Sequence, residues 1–189
     1  MTSDPTKPAD ALQNIGASGA SDQPSPEALL ASCGDFDMRI ARDGTWYYRG
    51  SPIARKPLVK LFSTVLRRDE EGGYWLVTPV ERGRIAVDDA PFTAVEFETR
   101  GEGPDQVLRF RNNVDDWIEA GRENPIRVEE NPETGEPSPY ILVRDNLEAR
   151  ILRPVYYQLV GQAVEHRVDG VDYLGLWSKS AFFPLGKLP

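Results

Sequence analysis

Between Trp46 and Leu66 the chain passes from an aromatic strand pattern to a helical one, and a diverged form of the same passage recurs about a hundred residues later. Trp46, Tyr47 and Tyr48 suit a half-buried pleated surface, and Arg42-Asp43-Gly44 before them carries the Asp-Gly step of tight hairpin turns. Residues 36–48 therefore read as a β-hairpin. Gly50-Ser51-Pro52 breaks the strand. Leu58, Leu61, Phe62, Val65 and Leu66 then fall at helical spacing, with Pro57 in the first turn and Arg67 and Arg68 in the last. The acidic, glycine-ended segment 69–73 closes this helix, and residues 74–78 resume as a strand.

Adding 98 to these positions finds the second form. Ile53-Ala54-Arg55 faces Ile151-Leu152-Arg153, Leu61 and Phe62 face Leu159 and Val160, Gly72 faces Gly170, and Trp75 faces Tyr173. Upstream the offset is 102, which leaves the first hairpin four residues longer (102 minus 98). Two amphipathic segments can agree by chance, but agreement at Gly, Arg and turn positions favours a duplicated hairpin, helix, strand unit.

The rest of the chain reads as strands and turns. Residues 84–87, 92–98 and 106–111 are strand-like, a polar turn over 112–116 delivers Trp117 and Ile118, and the segment 121–139 connects to the second half. There, residues 139–143 form a strand and a helix begins near Pro154 with Tyr156, Leu159, Val160, Ala163 and Val164 as its apolar stripe. Strands follow at 171–177 and 180–185. The expected fold class is α+β, mostly antiparallel, with two similar hairpin-helix-strand units in closely packed domains. Residues 1–24, rich in Ala, Ser, Asp, Pro and Gly, form an expected disordered tail. A short helix over 28–31 opens an N-terminal domain spanning 25–100, and a related C-terminal domain covers 101–189.

With 189 residues, 40% of them hydrophobic, the chain suffices for one large or two small cores. A net charge of −8 argues against non-specific binding to nucleic acid or anionic membrane. No run is long and apolar enough for a membrane helix, and the start lacks a secretory pattern, so the expected location is the cytoplasm. One cysteine, Cys33, and one histidine, His166, exclude an internal disulfide and the multi-Cys or multi-His metal centres. Cys33 reads as a small buried residue, and His166 as a dipole partner at the end of the second helix.

The set Trp46-x-Tyr48-x-Gly50-x-Pro52-Ile53-x-Arg55, Leu61-Phe62, Tyr74-x-Leu76-x-Thr78-Pro79-x-Glu81 and Val87-x-Asp89-Ala90-Pro91-Phe92 resembles a proteobacterial family known as domain of unknown function 1285. The resemblance covers about residues 28–185. It implies two closely packed, similar α+β domains with a repeated motif, and a link to signal transduction through ligand or partner binding.

No glycine-rich phosphate loop, nucleophile elbow or His-Glu-x-x-His helix is present, and no cofactor or metal is called for. Arg49, Arg55 and Arg153 with Trp46, Tyr48 and Trp117 suit an anionic, partly planar ligand, since guanidinium forks and aromatic faces act together there. The plainer alternative is that the aromatics are core and the arginines pair with carboxylates. Glu81, Asp88 and Asp89 are the acidic candidates for hydrolytic chemistry, against an ordinary Asp-Asp-Ala-Pro turn. The leading expectation is a cytoplasmic, regulatory, non-enzymatic binding module that holds a small anionic ligand or a protein partner between two similar halves. The alternatives are a metal- or carboxylate-dependent hydrolase and a purely structural interaction domain. A homodimer through an exposed strand is compatible with the pattern, which does not demand it.

Overall fold

Side-chain alternation decides the first sheet. In β1 (Gly34–Ile40) Phe36, Met38 and Ile40 are buried while Asp35, Asp37 and Arg39 face outward. A hairpin at Ala41–Thr45 sets β1 against β2 (Trp46–Tyr48), so that Met38 opposes Tyr48 and Ile40 opposes Trp46. These positions come from a computed structural model that describes residues 34–189. The expected tail over 1–24, the short helix over 28–31 and Cys33 lie outside the described residues.

After a two-residue β3 (Ser51–Pro52), α1 (Lys56–Val65) lays Phe62 and Val65 into the core, where Phe62 stacks on Trp46 at a centroid distance of 6.1 Å. An antiparallel meander of β4 (Leu66–Arg68), β5 (Tyr74–Val77) and β6 (Arg82–Val87) follows. β6 closes back on β1 in parallel, giving a six-stranded sheet in the order β3-β2-β1-β6-β5-β4. The side of this sheet that carries Trp46, Leu66, Leu76 and Ile85 is buried with α1, and the other side is open.

The chain divides into two compact units between Asp88 and Asp89. The second unit begins with β7 (Phe92–Arg100), β8 (Val107–Asn112), β9 (Trp117–Glu119), β10 (Ile126–Glu130), β11 (Pro137–Arg144) and β12 (Leu147–Ile151). They form a sheet in the order β10-β11-β12-β7-β8-β9, with β12 and β7 parallel. Then come α2 (Arg153–Gly161) and a separate three-stranded sheet of β13 (Val164–Val168), β14 (Val171–Ser178) and β15 (Ala181–Lys187). Ser178 stitches the two sheets together: its fully buried hydroxyl accepts from the Leu108 amide at 2.9 Å and donates to the Ala120 carbonyl at 2.8 Å.

The expected α+β class is corrected to a mostly β one. Fifteen strands stand against two α-helices of ten and nine residues among the described residues. Helices of that size are about 15 Å long, so each can cover only part of a sheet. The expected repeat of a hairpin-helix-strand unit fails with it. In the first unit the meander joins the hairpin in one sheet, whereas in the second it stands apart. The registers differ too: Leu66 pairs with Leu76, but Val164 pairs with Gly175 rather than with Leu174, the position that an offset of 98 requires. Both helices end earlier than the apolar spacing predicts, at Val65 and Gly161. Arg67 and Arg68 lie in β4, and His166 lies at the centre of β13 rather than beside a helix terminus. The Val164–Val168 segment suits extended backbone better than helix, and at Leu66, which follows the last helical residue Val65, pairing with Leu76 decides the ambiguity.

Candidate functional site

The expected ligand-binding residues occupy different environments. Trp46 is 1% exposed and Tyr48 8%, so both rings are core residues of the first unit. Arg49 is exposed at the β2–β3 turn with its guanidinium 5.2 Å from the Tyr48 ring centroid. Its φ of +48° next to Gly50 at +78° is the left-handed pair that a tight two-residue hairpin turn requires. Arg55 is exposed immediately before α1. In the second unit Trp117 is 39% exposed beneath Arg109, 4.9 Å from guanidinium to centroid, and Arg153, the first residue of α2, pairs with Glu136.

The acidic candidates do not act as one group. Asp88 takes a two-pronged hydrogen bond from Arg39, which holds its carboxyl below the ordinary range. That shift is opposite to the one a general acid near neutral pH needs. Asp89 instead accepts from the Tyr140 hydroxyl at 2.8 Å and lies 3.4 Å from Arg150. Burial and the Asp89 carboxylate push the Tyr140 phenol up to about 12. Glu81 closes the β5–β6 turn through backbone bonds with Thr78. Among the described residues no group of three or more His, Cys, Asp or Glu side chains is placed to hold a metal ion.

The outer face of the larger sheet in the second unit is a ladder of matched charges. Arg127, Tyr140 and Arg150 are direct cross-strand partners on β10, β11 and β12. Arg127 forks onto Glu148 at 2.5 and 2.6 Å and also meets Glu129, while it lies over the Tyr140 ring at 4.4 Å. On the other side Arg109 meets Glu98 at 2.6 Å, and Arg111 meets Glu96 at 2.7 Å and Asp115 at 3.0 Å. Each of these arginines is already neutralised by carboxylates.

The open face of the first sheet is different, and sequence reading passed over it. Register puts Arg67 of β4 beside Trp75 of β5, and Trp75 beside Arg84 of β6, with Val77 and Arg82 paired one step along the same face. The Arg82 guanidinium lies over the Trp75 ring, 3.9 Å from its centroid, and the indole N–H donates to Asp69 at 2.6 Å. That bond, helped by the Gly73 amide, holds the Asp69 carboxyl low. Asp69 is 3.9 Å from Arg82, and no closer carboxylate is paired with that arginine among the described residues. Arg67 donates to the Thr64 and Leu66 carbonyls at 3.0 and 2.7 Å, which ties down the side chain without cancelling its charge. Arg84 is exposed and has no ion-pair or hydrogen-bond partner among the described residues. The available signal was the alternation in Arg82-Gly83-Arg84-Ile85, which sets two arginines outward. The expected helix takes in Arg67 and the expected strand starts only at Arg84, which hides the row.

Chemically, the row presents three guanidinium groups, one from β4 and two from β6, around the indole of β5. Strand spacing of about 4.8 Å sets Arg67 and Arg84 about 10 Å apart across it. Such a row suits carboxylates or phosphates carried on an extended surface.

Comparison with known proteins gives a consistent likeness. Residues 26–90 match the model described as Domain of unknown function (DUF1285), N-terminal domain, and residues 91–185 the one described as Protein of unknown function (DUF1285), C-terminal domain. The chain is 46% identical to a DUF1285 family protein from Silicibacter pomeroyi DSS-3 of known crystal structure, with a TM-score of 0.76 over 96% of this chain and 95% of that one. A DUF1285 family protein from Shewanella baltica OS155 is 25% identical, with a TM-score of 0.52 over 66% of this chain and 91% of that one. No curated protein matches the chain.

Proposed function

The chain belongs to the DUF1285 family, and on that premise we propose that it is a regulatory binding protein rather than an enzyme, with the open face of its first sheet as the recognition surface for an anionic partner. One observation carries this reading: Arg67 and Arg84 flank Trp75 and form no ion pair among the described residues, although Asp35 stands across from Arg84 in the β1–β6 register, whereas the arginines across the second unit's larger sheet are matched by acids. The charge distribution supports it. Residues 34–88 hold ten Lys and Arg against eight Asp and Glu, but residues 89–189 hold eleven against eighteen.

An acidic protein segment suits this surface better than a small metabolite, because the donors are strung along an open sheet face rather than gathered in a concavity. Arg49 and Arg55, exposed elsewhere in the same unit, would add to its positive field. A role in signal transduction, carried out in the cytoplasm, fits such a partner and the family resemblance. The hydrolase alternative has less support, since Asp88 and Asp89 are each engaged by an arginine. A titration of the full chain with a deca-glutamate peptide, followed by tryptophan fluorescence, tests the proposal. The expected result is saturable binding that weakens with salt, as exposed charge pairs do, and that falls at least about tenfold in Arg84→Glu. Equal binding by Arg84→Glu and the unaltered chain would overturn it. A parallel titration with inorganic phosphate separates a preference for peptide carboxylates from one for any anion.

A further inference from the structure

β13 is an edge strand with a sequence that reads as its own complement. It pairs only with β14 among the described residues, so alternate backbone N–H and C=O groups along its other side face away from the sheet. Its residues are Val164-Glu165-His166-Arg167-Val168, and all but His166 are exposed. Val164 is 47% exposed, Val168 36%, and Val171, the cross-strand partner of Val168, 40%. The strand thus carries exposed valines on one face and the exposed charges of Glu165 and Arg167 on the other.

We propose that β13 is a homodimerisation strand, pairing antiparallel with β13 of a second copy about a two-fold axis through His166. In that register Val164 of one copy faces Val168 of the other, Glu165 faces Arg167, and His166 faces its own mate. The two-fold repeats each contact, as an isologous interface requires. Glu165 and Arg167 share one face of the strand, so both charge pairs form on that side, and both Val pairs form on the other. Glu165 has no ion-pair partner within the described residues. Arg167 donates to the Gly170 carbonyl at 3.1 Å and lies 3.6 Å from Asp172, but with 70% of its side chain exposed it keeps donors for a second carboxylate. His166 is already fixed on its own sheet, 4.9 Å from Trp177 and 4.7 Å from Phe182 between ring centroids. The strand is therefore braced before it meets a partner. The outcome is one continuous six-stranded sheet across two copies, three strands from each.

Five residue pairs cover less than the roughly 1,000 Å² of a permanent interface, so the dimer is reversible and set by concentration. Sedimentation velocity of the full chain over a hundredfold concentration range should show a monomer–dimer equilibrium. Arg167→Glu, which opposes Glu165 with a like charge twice over, should raise the dissociation constant at least about tenfold. The double swap Glu165→Arg with Arg167→Glu should restore it, and circular dichroism of each variant confirms that the fold is retained. Hydrogen exchange supplies a second readout: amides of β13 should slow as concentration rises. A chain that stays monomeric up to about 1 mM, or a dimer indifferent to both the single change and the swap, would overturn the proposal.

Discussion

At the scale of single residues, aromatic and charged groups of similar sequence character divide by what surrounds them. Trp46 stacks on Phe62 in the core, so Trp46→Ala should destabilise the chain by about 3–5 kcal/mol, read from the denaturation midpoint. A loss under about 1 kcal/mol would mean that the ring is not a packing residue. Tyr140 makes a pH-dependent prediction. Its phenol rises from 10.0 to about 12 in the folded chain, so the native state favours the protonated form. The stability it contributes is complete below pH 10.0 and is lost as pH climbs from there through about 12. Thermal melts of the unaltered chain and Tyr140→Phe should therefore converge over that window, and a constant gap would contradict the assignment. Sequence reading found Trp46, Tyr48 and Asp89 but not what they touch. Burial of Trp46 follows from alternation along a strand, whereas the Asp89–Tyr140 bond joins residues 51 apart and depends on strand pairing.

Elements were legible where local chemistry decides them and illegible where pairing does. The Asp43-Gly44 hairpin, the Pro57 helix start and most strands follow from turn residues and period. The helix ends do not, because Leu66 and Val164 satisfy a helical stripe and a strand equally well until a neighbouring strand claims them. The apparent duplication rests on Gly, Arg and turn positions as well as apolar ones, and none of these sets which strands pair in a sheet. Close packing between strands gives this level its prediction. A methyl group at Gly175 would lie 2.4 Å from the Phe182 ring and 2.5 Å from the Phe183 carbonyl oxygen, while one at Gly186 would meet nothing within 4 Å. Gly175→Ala should lower stability by about 1–3 kcal/mol in urea unfolding, and Gly186→Ala by far less. Equal effects would show that β14 and β15 can shift apart without penalty.

At the scale of the whole chain the two units solve the same problem differently. In each, a sheet buries one face and leaves arginines on the other. The second unit matches those arginines with Glu96, Glu98, Glu119 and Glu148, while in the first Arg84, beside Trp75, forms no ion pair among the described residues. Net charge for the full chain, −8, conceals this division, because it speaks only against non-specific binding to nucleic acid or anionic membrane. The direct measurement is an amide and indole chemical-shift map of the isotopically labelled full chain titrated with the deca-glutamate peptide. The account predicts that the Trp75 indole N–H and the amides of Arg67, Arg82 and Arg84 move together, and that Arg84→Glu removes the response. Shifts confined to the surroundings of Arg49 and Arg55, or none at all, would contradict it.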